Sequence, residues 1–181
     1  WQVRARHVVL ATGAIERPLV FPQNDRPGIM LADAARRYLH QYGVKVGGRT
    51  VVATRDDSAY RAALDLHAAG TTIAGILDER PAPDGELIQA ARALGIPVHA
   101  GARITATGGR ARVHSVRTQG GPAVLACDTV LMSGGWTPSV HLFSQSRGTL
   151  RFDAATGNFL PDKAAAAVTS VGACAGVFDL A

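Results

Sequence analysis

Short apolar runs alternate with amphipathic segments through the middle of the chain. Residues 50–54, 72–78 and 96–100 have the composition of buried strands, and residues 58–69 and 84–94 between them have helical periodicity. Because the connections are short, this β-α-β-α-β order predicts a parallel sheet with right-handed crossovers. Such a sheet is half of a doubly wound fold.

Three further runs of β character follow this region, at residues 103–107, 112–118 and 123–133. Glycines at 108–109 and 120–121 provide turns between them, so an antiparallel meander is predicted. The expected fold class is therefore α/β, with Rossmann-like three-layer β-α-β units and an antiparallel β-meander.

An apolar run also lies near each end of the chain. Residues 3–10 predict a buried strand that stops at residues 12–14. Residues 167–171 predict a short strand that runs into a glycine turn, with a helix expected to start at Gly176. Between the first strand and the middle of the chain, prolines predict an extended connector, and a helix is expected over residues 33–42.

The composition is that of a globular protein, with 47% hydrophobic and 18% charged residues among 181. No apolar run approaches the ~20 residues that cross a bilayer, so no membrane span is expected. The net charge of +5 comes from arginines scattered without interleaved aromatic residues, which favours solvated faces over a nucleic-acid partner. Cys127 and Cys174 lack CxxC spacing and the histidines lack ligand-like spacing. We expect no metal site, and the few cysteines fit a reducing cytoplasm.

Small residues in the two terminal turns are candidates for cofactor binding. They allow backbone amides to approach a ligand, and a helix after such a turn directs its positive end toward a diphosphate. Each turn alone is equally typical of an ordinary strand-to-helix connection. A further glycine pair precedes Trp136, which either packs as a core or lid aromatic or lines the cofactor cleft. The candidate cofactor-binding residues are Ala11, Thr12, Gly13, Ala14, Gly134, Gly135, Trp136, Gly172 and Ala173.

The middle region departs from the dinucleotide-binding fingerprint. Thr54, Asp56 and Ala59 stand where Gly-x-Gly-x-x-Gly would place glycine, and the Asp56 carboxylate takes the place of phosphate near the start of a helix. Asp56, or one of the two residues after it, is expected to cap that helix. Asp78 has the placement of a ribose-binding acid, but a strand-end residue paired with Arg80 is the favoured interpretation. We therefore expect a Rossmann fold without a phosphate site.

Glu16 and Arg17 stand beside the proline-rich connector. An ion pair on the surface is the expected arrangement, and a contact at a domain junction is the alternative. No residue pattern in the chain indicates a catalytic group.

Several segments resemble a known family of flavoenzymes. Residues 11–18 (ATGAIERP) and 26–30 (RPGIM) are similar to a stretch of the amine-oxidising two-component flavoenzymes. Residues 31–39, 56–63 and 133–142 narrow the resemblance to the alpha subunit of heterotetrameric sarcosine oxidase. The resemblance covers essentially the whole chain.

The resemblance implies the organisation of a two-dinucleotide-binding-domain flavoprotein. Residues 1–46 would be part of an interrupted first dinucleotide-binding domain with a connector, residues 47–133 an inserted second Rossmann-like domain, and residues 134–181 the return to the first. The chain begins without a start Met or a signal sequence. The family's glycine-rich phosphate loop and folate-handling region would lie outside the chain, so we expect an internal fragment that lacks catalytic residues.

The resemblance also implies a reaction and partners. The parent would be a cytoplasmic complex of alpha, beta, gamma and delta subunits that oxidises sarcosine to glycine, transfers one carbon to tetrahydrofolate and releases H2O2. The alpha subunit would hold NAD, the beta subunit FAD, and the alpha–beta interface FMN, with no cofactor expected in the fragment. Two alternatives stay open: a subunit of a related amine, opine or proline dehydrogenase, and a non-catalytic scaffold for partner subunits.

Overall fold

The chain passes twice between two separately packed units. The computed structural model describes residues 1–178. Unit 1 contains residues 1–15 and the chain from Trp136 onward, and unit 2 contains Glu16–Gly135. Unit 2 therefore includes the proline-rich connector and the helix that follows it.

The strands are short at the ends of the chain and longer in its middle. In chain order they are β1 (Val8–Leu10), β2 (Ala14–Glu16), β3 (Ile29–Leu31), β4 (Arg49–Thr54), β5 (Thr72–Asp78), β6 (Val98–Ala100), β7 (Arg103–Gly108), β8 (Ser115–Gln119), β9 (Val124–Ala126), β10 (Thr129–Ser133), β11 (Trp136–Pro138), β12 (Leu150–Asp153), β13 (Asn158–Pro161) and β14 (Val168–Ser170).

The α-helices are α1 (Ala32–Tyr42), α2 (Ser58–Ala68), α3 (Glu86–Ala93) and α4 (His141–Gln145), and Gly172–Ala175 forms a 3-10 turn. None of the helices in residues 1–178 is long and apolar enough to cross a bilayer.

Unit 2 is built on a parallel sheet with the strand order β3-β10-β4-β5-β6. The predicted β-α-β-α-β segment is confirmed as β4-α2-β5-α3-β6. The chain adds β5 and β6 on one side of β4, and β10 and β3 lie on the other side. The strand order thus reverses its direction between β4 and β10.

Helices α1, α2 and α3 pack on one face of this sheet. Their inward positions are mostly alanine, which lets the helices approach the strands closely, and Tyr60 and Leu66 fill the larger spaces. The connector and the meander cover the other face, where Phe21 packs against the strands. Because both faces are covered, Val51 and Val52, which point to opposite faces of β4, are both fully buried.

The third predicted run of the meander is divided between two sheets. β7, β8 and β9 form the predicted antiparallel meander. The prediction of one strand over residues 123–133 is wrong, because residues 129–133 leave the meander and form β10 between β3 and β4. Every residue of β10 is buried, as expected for the centre of a parallel sheet. Asp128 fixes the change of direction by accepting hydrogen bonds from the amides of Gly48 and Arg49, at 3.0 and 3.1 Å.

The described residues of unit 1 form three two-stranded sheets, the parallel pair β1–β14, the pair β2–β11 and the antiparallel hairpin β12–β13. The prediction of a buried strand over residues 3–10 is wrong in its length and its burial. The strand covers only Val8–Leu10, and Val8 and Val9 are 42% and 61% exposed. Within the described residues β1 has a neighbouring strand on one side only, so its side chains have little to pack against.

The end of β14 also differs from the sequence prediction. The chain enters the 3-10 turn at Gly172, and Gly176 ends that turn with a positive φ of 86°. A helix expected to start at Gly176 would extend over residues 179–181, which lie outside the described part of the chain.

Candidate cofactor-binding turns

The two candidate turns near the ends of the chain lie side by side in unit 1. Strands β1 and β14 are parallel neighbours, with Leu10 opposite Ser170, so their carboxyl ends meet at one edge. The amide of Val171 continues the pairing by donating to the Leu10 carbonyl at 2.9 Å. The turn at residues 11–14 and the turn at residues 172–173 therefore form one surface.

Gly13 and Gly172 give this surface an exposed backbone. Their φ angles are +70° and +67°, which L-amino acids adopt only with strain. A Cβ atom added at either position would meet no atom within 4 Å. The space beside both glycines is thus open to a ligand, as a backbone-lined cradle for a dinucleotide requires.

Thr12 fixes the first turn to the segment that follows β11. Its hydroxyl donates to the Ser139 carbonyl at 2.7 Å, and the Ser139 amide donates to the Gly13 carbonyl at 2.9 Å. β11, which begins at the half-buried Trp136, packs against the 3-10 turn that contains Gly172 and Ala173. Unit 1 therefore brings together the candidates at 11–14, 136 and 172–173.

The Cys174 thiol contacts the strand ends that lead into both turns, and no pattern in the sequence indicates this role. Its thiol is buried and lies 3.1 and 3.2 Å from the carbonyl oxygens of Leu10 and Val171. Burial alone would raise the pKa of this thiol, but hydrogen-bonding groups of Thr12 and the amide of Gly13 lower the pKa below its ordinary value. Polar groups from both turns therefore surround one sulfur atom, which links the two turns.

The other two candidates, Gly134 and Gly135, belong to unit 2 and pack against Arg17. The Arg17 amide donates to the Gly135 carbonyl at 2.8 Å, and the Gly134 amide donates to the Arg17 carbonyl at 2.7 Å. A Cβ at Gly135 would lie 2.9 Å from Arg17 Nη2, and its φ is +92°. Close packing within unit 2 therefore accounts for both glycines.

Side chains of unit 2 fill the place where a dinucleotide phosphate would bind. Asp56 Oδ1 accepts hydrogen bonds from the amide and the hydroxyl of Ser58, the first residue of α2, at 2.7 and 2.5 Å. Asp57 is the residue that precedes the helix, and its side chain makes no capping hydrogen bond, so Asp56 contacts the helix start from one position earlier. The Thr54 hydroxyl tightens the same loop by donating to the Asp56 carbonyl at 2.8 Å. The loop after β4 is thus closed on itself by its own polar groups.

Asp78, at the end of β5, is fully buried and fully paired. The predicted partner is confirmed, since Arg80 Nε and Nη2 donate to its two oxygens at 3.0 and 2.7 Å. The Tyr60 hydroxyl donates to Asp78 Oδ2 at 2.9 Å, and burial together with this carboxylate raises the pKa of Tyr60. Arg80 Nη2 also lies 2.8 Å from Asp57 Oδ1. No oxygen of Asp78 remains directed toward a ribose.

Glu16 does not form the predicted surface ion pair with Arg17. Its side chain is only 6% exposed, and Oε2 accepts a hydrogen bond from the Asp33 amide at 3.0 Å, near the start of α1. Burial raises the pKa of Glu16 to about 7, and the carboxylates of Asp33 and Asp56 add to this rise. The hydrogen bond from the Asp33 amide and the nearby Ser133 hydroxyl oppose this rise.

Residues 1–178 contain no group of three or more His, Cys, Asp or Glu side chains that could hold a metal ion.

Comparison with known proteins gives relatives over the whole chain. No family model matches the sequence. The chain is 42% identical to the sarcosine oxidase subunit alpha of Corynebacterium sp. (strain P-1), over 100% of this chain and 20% of that protein. It is 37% identical to the sarcosine oxidase subunit alpha of Rhizobium meliloti (strain 1021), over 97% of this chain and 18% of that protein. The chain is thus homologous throughout to sarcosine oxidase alpha subunits and spans about a fifth of their length.

Solved structures show the same fold at low sequence identity. Thioredoxin reductase from T. acidophilum superposes with a TM-score of 0.73 at 19% identity, over 96% of this chain and 59% of that one. L-Proline dehydrogenase from P. horikoshii superposes with a TM-score of 0.70 at 20% identity, over 94% and 30% of the two chains. These similarities confirm the predicted Rossmann-like fold of flavin- and nicotinamide-binding proteins.

Proposed function

We propose that the chain forms a dinucleotide-binding lobe, without catalytic residues, of a sarcosine oxidase alpha subunit. The observation that carries the proposal is the adjacency of the turns at residues 11–14 and 172–173, in a chain homologous throughout to such subunits. The reaction of the parent enzyme is the oxidative demethylation of sarcosine to glycine, with one-carbon transfer to tetrahydrofolate and formation of H2O2. The complex is cytoplasmic and contains beta, gamma and delta subunits.

The turns of unit 1 fit the diphosphate of NAD. Gly13 and Gly172 leave open space beside the backbone, and residues 11–14 and 172–173 would lie along the diphosphate. When bound, the nicotinamide ring can accept or deliver a hydride. The chain's own residues position the two turns. Thr12 fixes the first turn to the Ser139 carbonyl, and Cys174 keeps the two turns at a fixed separation. FAD and FMN belong to the beta subunit and to its interface with alpha.

Unit 2 serves as a scaffold in this proposal. Asp56 and Asp57 place two carboxylates near the start of α2. Arg80 forms an ion pair with Asp78, the acid at the end of β5. A dinucleotide would meet like charge at its diphosphate and no free acceptor at its ribose. We assign to this unit the support of partner subunits. The division into residues 1–46, 47–133 and 134–181 is part of the same proposal.

The test uses the full-length subunit that contains this segment, produced together with its partner subunits. Sarcosine-dependent release of H2O2 is expected. Gly13→Ala and Gly172→Ala should lower the NAD content of the purified complex at least about tenfold, because each new methyl group enters the space beside the turn. Gly157→Ala is the matched control, since Gly157 has a φ of +66° and equally open surroundings but lies in the β12–β13 hairpin.

Two results would contradict the proposal. One is a complex that ignores sarcosine and oxidises another secondary amine such as proline, which would favour the related dehydrogenases. The other is an NAD content that responds equally to all three glycine substitutions, which would show that the turns at 13 and 172 have no special role in binding.

A further inference from the structure

Polar groups of unit 2 meet where the strand order of its sheet reverses. Ser133 ends β10, Asp56 follows β4, and Glu16 lies against both from the connector side. Ser133 Oγ donates to Asp56 Oδ2 at 3.2 Å and also lies beside the Glu16 carboxyl group. In parallel sheets this switch point is where a ligand is most often bound.

We propose that Glu16, Ser133 and Asp56 form a proton-controlled latch, which holds Arg17 against Gly134 and Gly135 when Glu16 is neutral and loosens when Glu16 ionises.

The burial of Glu16 favours a protonated carboxyl group in this cluster. Its Oε1 atom is shielded from solvent and makes no hydrogen bond to any described residue, whereas Oε2 accepts from the Asp33 amide. Ser133 and Gly135 are buried as well. A carboxyl group in such surroundings is more stable neutral than ionised.

The charges around Glu16 come from three elements. Asp33 lies on α1 and is paired with Arg37 at 2.9 Å, and Asp56 lies partly exposed in the loop after β4. Arg17, the next residue in the chain, is the cation on this side, and its Nε is buried without a hydrogen-bond partner among the described residues. An ionised Glu16 would therefore face two carboxylates against one guanidinium, with its own side chain only 6% exposed.

Ser133 supplies the path by which the proton leaves. The Glu16 proton passes to Ser133 Oγ as the Ser133 hydroxyl gives its own proton to Asp56 Oδ2, and Asp56 releases that proton to water. Ser133 and Asp56 end unchanged, and Glu16 has lost one proton to the solvent. The new buried charge then weakens the two backbone hydrogen bonds that join Arg17 to Gly134 and Gly135.

Native-state hydrogen exchange of the 181-residue chain tests the latch at the amides of Arg17 and Gly134. After division by the intrinsic exchange rate, local opening should increase about tenfold per pH unit between the ordinary Glu pKa of 4.5 and about 7, and should then level off. Glu16→Gln should remove this dependence and keep the protection of the wild type at low pH. Glu79→Gln is the control, because Glu79 lies in the same unit and pairs with Arg55 at 3.3 Å.

A second variant keeps the test decisive if Glu16→Gln does not fold. Asp56→Asn removes one facing carboxylate and should move the midpoint of the opening curve to lower pH. An unchanged midpoint would overturn the latch. So would a Glu16 carboxyl that titrates below pH 5 by 13C NMR, or a pH dependence that survives in Glu16→Gln.

Discussion

Arg80 donates two hydrogen bonds to the Asp78 carboxylate, from Nε to Oδ1 at 3.0 Å and from Nη2 to Oδ2 at 2.7 Å. The carboxylate is fully buried at the end of β5, the position from which an acid of a dinucleotide-binding fold would contact a ribose. A side chain of the same unit has therefore taken the place of the ligand, and the geometry that would bind a nucleotide stabilises the fold instead.

Replacement of Arg80 should expose the cost of that buried carboxylate. Arg80→Leu leaves Asp78 charged and poorly paired, so we expect a loss of about 3–5 kcal/mol in the free energy of unfolding at pH 7. Urea unfolding of the variant and the wild type at pH 7 measures this loss.

The double variant Asp78→Asn/Arg80→Leu is the control for this prediction. It has no buried charge, so its loss should be smaller than that of the Arg80→Leu variant. A single variant whose stability lies within 1 kcal/mol of the wild type would contradict the importance of the pair.

Removal of the side chains in the loop after β4 should create weak nucleotide binding in unit 2. The triple variant Thr54→Gly/Asp56→Gly/Ala59→Gly loses the carboxylate whose repulsion of diphosphate is of order a few kcal/mol near a surface. Calorimetry at low salt should show NADH affinity that is weak, roughly millimolar, because Arg80 still ties Asp57 to Asp78. The double variant that keeps Asp56 should bind no NADH. Micromolar binding by the wild type, unchanged in Asp56→Gly, would refute this view of the loop.

Gly47 should tolerate a methyl group much less well than Gly43. A Cβ at Gly47 would overlap the buried Thr129 side chain and lie 2.5 Å from Asp128 Oδ1, in the turn that directs the chain into β10. Gly43 has a φ of +65° but open surroundings. We expect a loss of about 3 kcal/mol for Gly47→Ala and about 1 kcal/mol for Gly43→Ala in denaturant unfolding. Equal losses would show that the turn at 128 adapts freely.

The purified 181-residue chain should hold neither flavin nor NAD at a stoichiometric level. No Gly-x-Gly-x-x-Gly sequence occurs in it, and the corresponding loop of unit 2 carries the Asp56 carboxylate. Absorbance in the flavin bands, and NAD released on denaturation, provide the measurement. About one molecule of either cofactor per chain would contradict the prediction.

Local patterns made the middle of the fold predictable. The strand at residues 72–78 is predicted with its observed bounds, because an apolar run between two amphipathic helices has one ready interpretation. β10 was not predictable in the same way. Its apolar run follows β9 after only Cys127 and Asp128, and nothing local shows that the partners of β10 lie far back in the chain.

The candidate site was predictable in part. Glycines after two apolar strands indicate turns, but only the pairing of β1 with β14 shows that the turns are neighbours. The prediction for Glu16, a surface ion pair with Arg17, is the one that differs most from the structure. A charged residue next to a proline-rich connector is typical of a surface, and its burial arises from Asp33 and Ser133, which tertiary folding brings to it.

The position of β10 has a consequence for how unit 2 acquires its structure. This strand fills the gap between β3 and β4, which lie roughly 100 and 80 residues earlier in the chain. Such distant pairing raises the contact order and slows the search for the native state. During synthesis, β3 has no neighbouring strand until β10 has been made. The sheet of unit 2 can therefore be completed only after residue 133 has left the ribosome.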